Sequence, residues 1–142
     1  LILKMSSSQF LKNAEAIISI DARGFIFGSA VALESSRPMI VARKPGKLPG
    51  KLLKSEYDLE YGKNSLSIQR NSLKKFKSFV IIDDLLATGG TVNCVSRLLQ
   101  DQKKEVIGLI TVVELIKLKG RLSLDFPVHS MVELWELSIF FY

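Results

Sequence analysis

The stretch Val80–Thr91, VIIDDLLATGGT, limits what this chain can fold into more than any other. Val80, Ile81 and Ile82, led in by Phe79, form a short continuous apolar run, the pattern of a strand buried on both faces. Asp83 and Asp84 then stand at its carboxyl end, where open α/β sheets place their ligand crevice. Ala87, Thr88, Gly89, Gly90 and Thr91 follow with small side chains and two glycines, so a ligand can come close to the backbone. From there Val92, Val95, Leu98 and Leu99 recur at helical spacing. The glycine turn therefore opens a helix, and its unpaired N–H groups face an anion. Adjacent carboxylates repel a purely anionic ligand, yet they accept hydrogen bonds from sugar hydroxyls or from water on a cation. A phosphorylated sugar satisfies both halves. A lone Asp-Asp or a lone Thr-Gly-Gly-Thr would more often be a strand end and an ordinary turn; the two in this order favour the ligand site.

A chain of 142 residues is expected to form one domain over 1–142, with enough surface buried for a single core. At 47% hydrophobic and 24% charged residues it reads as globular. Charge-free runs such as Gly24–Leu33 and Val106–Val113 fall short of the roughly 20 residues that span a bilayer, and no secretory leader is visible, so no membrane partner is expected. A single cysteine, Cys94, allows no intrachain disulfide and suits a reducing cytoplasm; its place on the apolar side of the helix makes it a core residue. The net charge of +6 favours anionic ligands.

Taken in order, Ser6, Ser7 and Ser8 look like the cap region of a short helix through Leu11 and Ala14. Ala16–Ile20 is a strand that ends in Asp21. It leads through Ala22, Arg23 and Gly24 into an apolar helix, Phe25–Glu34. Arg23 at that helix start can grip a phosphate through two parallel bonds, which makes a second anion site; an arginine that merely solvates a turn is an equal alternative in isolation. Pro38–Ala42 is a third strand. Arg43–Lys54, RKPGKLPGKLLK, has five basic residues, two prolines, two glycines and no acid, and is expected to be a long mobile loop. A solvated charge run, a nucleic-acid contact and a lid over a polyanionic substrate compete for it. Nucleic-acid patches usually interleave aromatics or lie along a helix, so no nucleic-acid partner is expected and the lid is favoured. Gly46–Lys51 lacks the spacing and the following Ser or Thr of a nucleotide-binding phosphate loop. Glu56–Tyr61 and Ser65–Ile68 alternate like two antiparallel strands around Gly62, Lys63 and Asn64. Asn71–Lys77 reads as a polar connection, Glu105–Val113 as a strand, Leu115–Leu122 as a short helix and His129–Leu137 as a last strand. His129, with no cysteine, histidine or serine constellation beside it in sequence, reads as a surface or edge residue rather than a catalyst. The apolar tail Ser138–Tyr142 could be an edge strand, a partner contact or disorder.

This alternation gives an α/β fold with a mostly parallel central sheet flanked by helices and a flexible hairpin lid. On DARGFIFG at Asp21–Gly28, ARKPGKLPG at Ala42–Gly50, YDLEYG at Tyr57–Gly62, VIIDDLLATGGT, and VELIKLKGR at Val113–Arg121, the chain resembles the type I phosphoribosyltransferase family, more narrowly its adenine branch. The resemblance runs from about Ala16 to Glu136 and implies the type I phosphoribosyltransferase fold. It implies purine salvage: phosphoribosyl pyrophosphate plus adenine giving AMP and pyrophosphate. Magnesium is expected as cofactor, riding on pyrophosphate and ribose with no direct protein ligand. Ala87–Thr91 would bind the 5′-phosphate, Asp83 and Asp84 the ribose 2′ and 3′ hydroxyls. Arg23, Gly24, Arg43, Lys44 and Lys47 would bind pyrophosphate, with a cis peptide expected between Asp21 and Ala22. Leu85 would lie against the purine, and Glu60 would take the proton from the base. A homodimer is the usual assembly. Family members normally carry a Phe-Pro-x-Pro-Gly-Ile-type hood over the purine; nothing resembling it precedes Asp21, so the hood region is expected to be short or missing. Another purine phosphoribosyltransferase, a non-catalytic sensor of phosphoribosyl pyrophosphate and a basic nucleic-acid module are the alternatives.

Overall fold

The computed structural model describes residues 1–59 and 62–136. Two short helices, α1 (Ile2–Ser6) and α2 (Gln9–Asn13), precede β1 (Ala16–Ile20), α3 (Gly24–Ser35) and β2 (Met39–Ala42). A hairpin of β3 (Leu52–Leu59) and β4 (Gly62–Gln69) and the short α4 (Arg70–Lys74) follow. The chain continues through β5 (Ser78–Leu86), α5 (Gly90–Asp101) and β6 (Glu105–Leu115), then two 3₁₀ turns, Ile116–Leu118 and Gly120–Ser123, and ends in β7 (Val128–Leu134). Five strands make one sheet in the order β2-β1-β5-β6-β7, parallel throughout. The central strand of that sheet is β5, which carries the acid pair, and the expected fold class is met.

Burial explains why β5 reads as a continuous apolar run. Alternate residues point to opposite layers: Val80 and Ile82 pack with Ile17, Ile110, Met5, Leu11 and Val31 beneath α1–α3. Phe79 and Ile81 pack with Ile18, Ile20, Val95, Leu99 and Ile68 beneath α5 and the hairpin. Covering an apolar side chain of this size contributes about 1.5–3 kcal/mol. The two layers therefore fix β1 and β5 side by side, and with them the crevice at their carboxyl ends. Cys94 lies in the second layer, fully buried, its Sγ 3.2 Å from the Ser55 carbonyl oxygen. His129 sits on the edge strand β7, its ring edge-on to Phe10 at 6.3 Å.

Several expected boundaries move. Ser8 is a cap, accepting from the Phe10 N–H at 3.4 Å, but of a helix ending at Asn13, and α1 before it was not foreseen. The basic loop is shorter than expected, because β3 begins at Leu52 and buries Leu53 against the core. Gly62, Lys63 and Asn64 already pair with Leu59, Asp58 and Tyr57, so they are strand and not turn. Part of the polar connection Asn71–Lys77 is helical, its Leu73 buried. The helix expected over Leu115–Leu122 is broken into two 3₁₀ turns by Lys119, which has a left-handed φ of 54°. The acid pair lies inside β5, which runs on to Leu86. The last strand ends at Leu134, and the tail Ser138–Tyr142 lies outside the described residues.

Candidate active site

The crevice opens where β1 and β5 end, with a cavity of about 240 Å³. Its floor is Ile20, Asp83, Leu85 and Leu86; the Ala87–Thr91 loop forms one wall, and Asp21, Arg23, Lys44 and Tyr57 the others. Parallel strands place these groups together because each helix returns the chain to the same end of the sheet.

The phosphate-type wall forms as its sequence requires. Gly89, at φ 91°, occupies the left-handed region and caps α5, whose twelve residues begin at Gly90. The first N–H groups of a helix lack intrahelical acceptors, so this loop presents donors and a positive helix end to the crevice.

The acid pair is asymmetric. Asp83 is nearly buried and accepts a hydrogen bond from the Asp84 N–H at 2.9 Å. Burial, reinforced by the neighbouring Asp84 carboxylate and opposed by the backbone bond and Arg23, pushes its pKa up to about 8. Asp84 is more open and accepts from Arg23 Nε at 2.5 Å, which raises the arginine's pKa further. Gly24 packs behind the pair: a Cβ there would stand 2.9 Å from Asp83 Oδ1.

Opposite the phosphate-type wall, Asp21 accepts from Arg43 Nε at 3.3 Å and from the Lys44 N–H at 3.2 Å. The peptide between Asp21 and Ala22 is cis, as the resemblance implied. Arg43 also lies over the Phe25 ring, 5.7 Å from its centre. The structure thus brings Arg23, Lys44, Asp83, Leu85 and Ala87–Thr91 to one crevice, with Asp84 and Gly24 directly behind it. Arg43 contributes through Asp21. Lys47 is exposed on the loop and does not line the crevice, and Glu60 lies outside the described residues. Two polar crevice residues, Asp21 and Tyr57, were not assigned from sequence, nor were the apolar Ile20, Leu86 and Val92. Asp21 carried a signal, since it ends β1 much as Asp83 follows the apolar run of β5. Tyr57 carried only the alternation that puts it on the same face of β3 as buried Leu53.

A crevice with a helix N-terminus at one wall, guanidinium and ammonium groups at the other, and hydrogen-bond acceptors between is built for a sugar phosphorylated at both ends. The model of the phosphoribosyl transferase domain matches residues 2–139, and the chain belongs to the phosphoribosyltransferase family. Within that family the likeness is to adenine phosphoribosyltransferases. The enzyme of Prochlorococcus marinus strain AS9601 is 81% identical over 134 residues, 94% of this chain and 79% of that protein. That of strain MIT 9515 is 71% identical over 132 residues, 93% of this chain and 77% of that protein. Saccharomyces cerevisiae adenine phosphoribosyltransferase, complexed with D-2,5-dideoxy-2,5-imino-altritol 1,6-bisphosphate and adenine, superposes with a TM-score of 0.84 at 32% identity. That match covers 92% of this chain and 75% of the yeast chain.

Proposed function

We infer that this chain transfers the phosphoribosyl group of phosphoribosyl pyrophosphate to adenine, giving AMP and pyrophosphate in purine salvage. The observation that carries the reading is the single crevice uniting the α5 N-terminus, the acid pair and Arg23 with Lys44, on a chain 81% identical to an adenine phosphoribosyltransferase. The yeast relative's complex with a bisphosphate and adenine agrees with it.

In this reading Ala87–Thr91 hold the 5′-phosphate through backbone N–H groups and threonine hydroxyls. Asp83 and Asp84 orient the ribose hydroxyls, and Leu85 packs against the purine. The bond from C1′ to pyrophosphate oxygen breaks as C1′ bonds to the base nitrogen, whose proton passes to Glu60. Positive charge grows on the ribose and negative charge on the departing pyrophosphate. Arg23 and Lys44 stabilise the latter where it develops, with Gly24 allowing close approach and Arg43 and Lys47 completing the clamp. The hairpin excludes water that would otherwise capture the ribosyl cation.

Magnesium would fit this site together with the substrate, because the side-chain oxygens of Asp83 and Asp84 at and behind the crevice suit a hard cation. Asp84 would offer carboxylate oxygens and Asp83 a carboxyl group to its water shell, as hard cations that keep several waters require. When bound, the ion neutralises charge on the leaving pyrophosphate.

Exposed Leu3, Ile26 and Leu33, on the packed helices α1 and α3, support assembly as a homodimer. No helix among the described residues is long and apolar enough to cross a membrane, and buried, unpaired Cys94 accords with the cytoplasm. Product analysis with each purine base, in the presence of magnesium, tests the reading: AMP from adenine is expected, and no nucleotide from any base would sink it. Replacing Glu60 with alanine should lower turnover and leave phosphoribosyl pyrophosphate affinity within about twofold; unchanged turnover would remove Glu60 from the mechanism.

A further inference from the structure

The loop assigned to the 5′-phosphate is backed by a segment that takes no part in the crevice. Gly120 lies directly behind Ala87: a Cβ there would overlap the Ala87 carbonyl oxygen and stand 3.1 Å from its carbonyl carbon. From the loop side, a Cβ on Gly89 would overlap Ser123 Oγ and stand 3.1 Å from the Gly120 oxygen. At Gly120 the two backbones meet at a separation that no side chain permits, and at Gly89 the Ser123 hydroxyl occupies the place of a Cβ. Ser123 Oγ lies 2.7 Å from the Gly120 oxygen and 3.2 Å from the Thr88 oxygen, so its one proton can serve either carbonyl. Asn93, in the first turn of α5, donates to Ser123 Oγ at 3.1 Å and to the Ser123 carbonyl at 3.2 Å. Through Ser123 the turn thereby reaches Thr88 in the loop and Asn93 in the helix that follows it.

The turn is in turn fixed to the sheet. Arg121 donates through Nε to Glu114 Oε1 at 3.0 Å and through Nη2 to Glu114 Oε2, and through Nη1 to the Val128 carbonyl at 2.8 Å. Ser130 Oγ donates to the same carboxylate at 2.8 Å. This network joins β6 to β7 and anchors the turn between them. None of Glu114, Gly120, Arg121 and Ser123 lines the crevice.

We propose that the Gly120–Ser123 turn, locked by Arg121 on Glu114, is a positioning brace that holds Ala87–Thr91 in its phosphate-binding shape. The proposal rests on the phosphoribosyl reading of that loop. Recognition by backbone N–H groups requires the peptides to be aimed, and a loop of small residues around Gly89 has few side chains with which to aim itself. Close backing and the shared Ser123 hydroxyl supply the aim. Within the crevice the brace touches the 5′-phosphate wall and the adjoining Leu86, while the pyrophosphate wall is built from Asp21, Arg23 and Lys44 on the other side. Its loss must therefore discriminate between the two ends of the substrate.

Calorimetric titration of the full chain with ribose 5-phosphate, and separately with magnesium pyrophosphate, tests this. Gly120→Ala forces the Ala87 carbonyl away and should weaken ribose 5-phosphate more than tenfold, leaving pyrophosphate within twofold. Ser123→Ala removes one hydrogen bond and should weaken ribose 5-phosphate by about fivefold to tenfold. It also carries the test should Gly120→Ala not fold. In steady state the KM for phosphoribosyl pyrophosphate should rise while kcat and the KM for adenine move little. Equal weakening of both ligands, or no change in a folded variant, overturns the brace. Unmodified protein that binds pyrophosphate but neither ribose 5-phosphate nor AMP overturns the phosphoribosyl reading itself, and the brace with it.

Discussion

Two arginine–carboxylate pairs in this molecule use the same chemistry to opposite ends. Arg23 and Asp84, at the crevice mouth, share one contact, and the arginine side chain is 74% exposed. Arg121 and Glu114, behind the phosphate loop, form a two-bonded fork whose carboxylate is 3% exposed. Glu114 also accepts from the Ser130 hydroxyl, and Arg121 donates to the Val128 carbonyl. The fork holds the Glu114 carboxyl below its usual range against the opposing effect of burial. At the crevice the balance is reversed: burial dominates, and Asp83 beside the pair is pushed up to about 8. On the proposed reading, a pair that hands its groups to a substrate is kept single and open, whereas the pair behind the loop is held by several bonds within the protein.

The largest effect that would sharpen this contrast is expected from Arg121→Ala. It strands a buried carboxylate, which typically costs 3–5 kcal/mol; the partial exposure of Arg121 lets water in and puts the expectation at about 3 kcal/mol. For a chain of this size that is roughly 6–12 °C in thermal midpoint, read by calorimetric melting. A fall below about 2 °C would make the fork no more than a surface ion pair. Arg23→Ala should do the reverse. Its exposed pair contributes at most about 1 kcal/mol to folding, so the melting temperature should hold within a few degrees. Turnover, however, should fall roughly a hundredfold, the usual effect of removing one donor aimed at developing negative charge. Comparable losses of stability in the two variants would erase the distinction between them.

How far the sequence revealed each region follows from the kind of interaction that builds it. The crevice was legible because its parts are contiguous: the apolar run, Asp83, Asp84 and the glycine turn sit in one line, and Asp21–Gly24 repeats the logic at β1. The two-sided burial of β5 followed from the continuous apolar run Val80–Ile82, whereas the strand order β2-β1-β5-β6-β7 had no local signal. The brace was illegible as a brace. VELIKLKGR was read as part of a family likeness and Leu115–Leu122 as a helix, because nothing local shows that Lys119 adopts a left-handed φ or that Gly120 must back onto Ala87. Those facts arise between segments thirty or more residues apart, where periodicity carries no information. The same holds for Tyr57, brought to the crevice by the hairpin register, and for α4, a short helix whose single buried anchor, Leu73, is too little to set a pattern.

The smallest expected effect is the most specific to the crevice pair, and it concerns pH. Asp83, protonated up to about pH 8 in the folded protein, ionises near its ordinary value of 3.8 once unfolded. Between these values the folded state holds a proton that the unfolded state has released, so stability falls as pH rises through this window and levels off above about 8. Glu114 acts in the other sense: with its folded pKa lowered, its contribution is present above the ordinary glutamate value and is lost as pH falls through the folded one. Asp83→Asn keeps an oxygen to accept the Asp84 N–H and removes the titration. Denaturant unfolding of both proteins at pH 5, 6 and 7 should therefore show the asparagine variant gaining on the unmodified protein by on the order of 1 kcal/mol per pH unit, the full linkage slope being about 1.4. Parallel curves would mean that the crevice carboxyl is as well satisfied as Glu114. The contrast between the two pairs would then rest on exposure alone, and the acid pair would hold the ribose as two ordinary carboxylates.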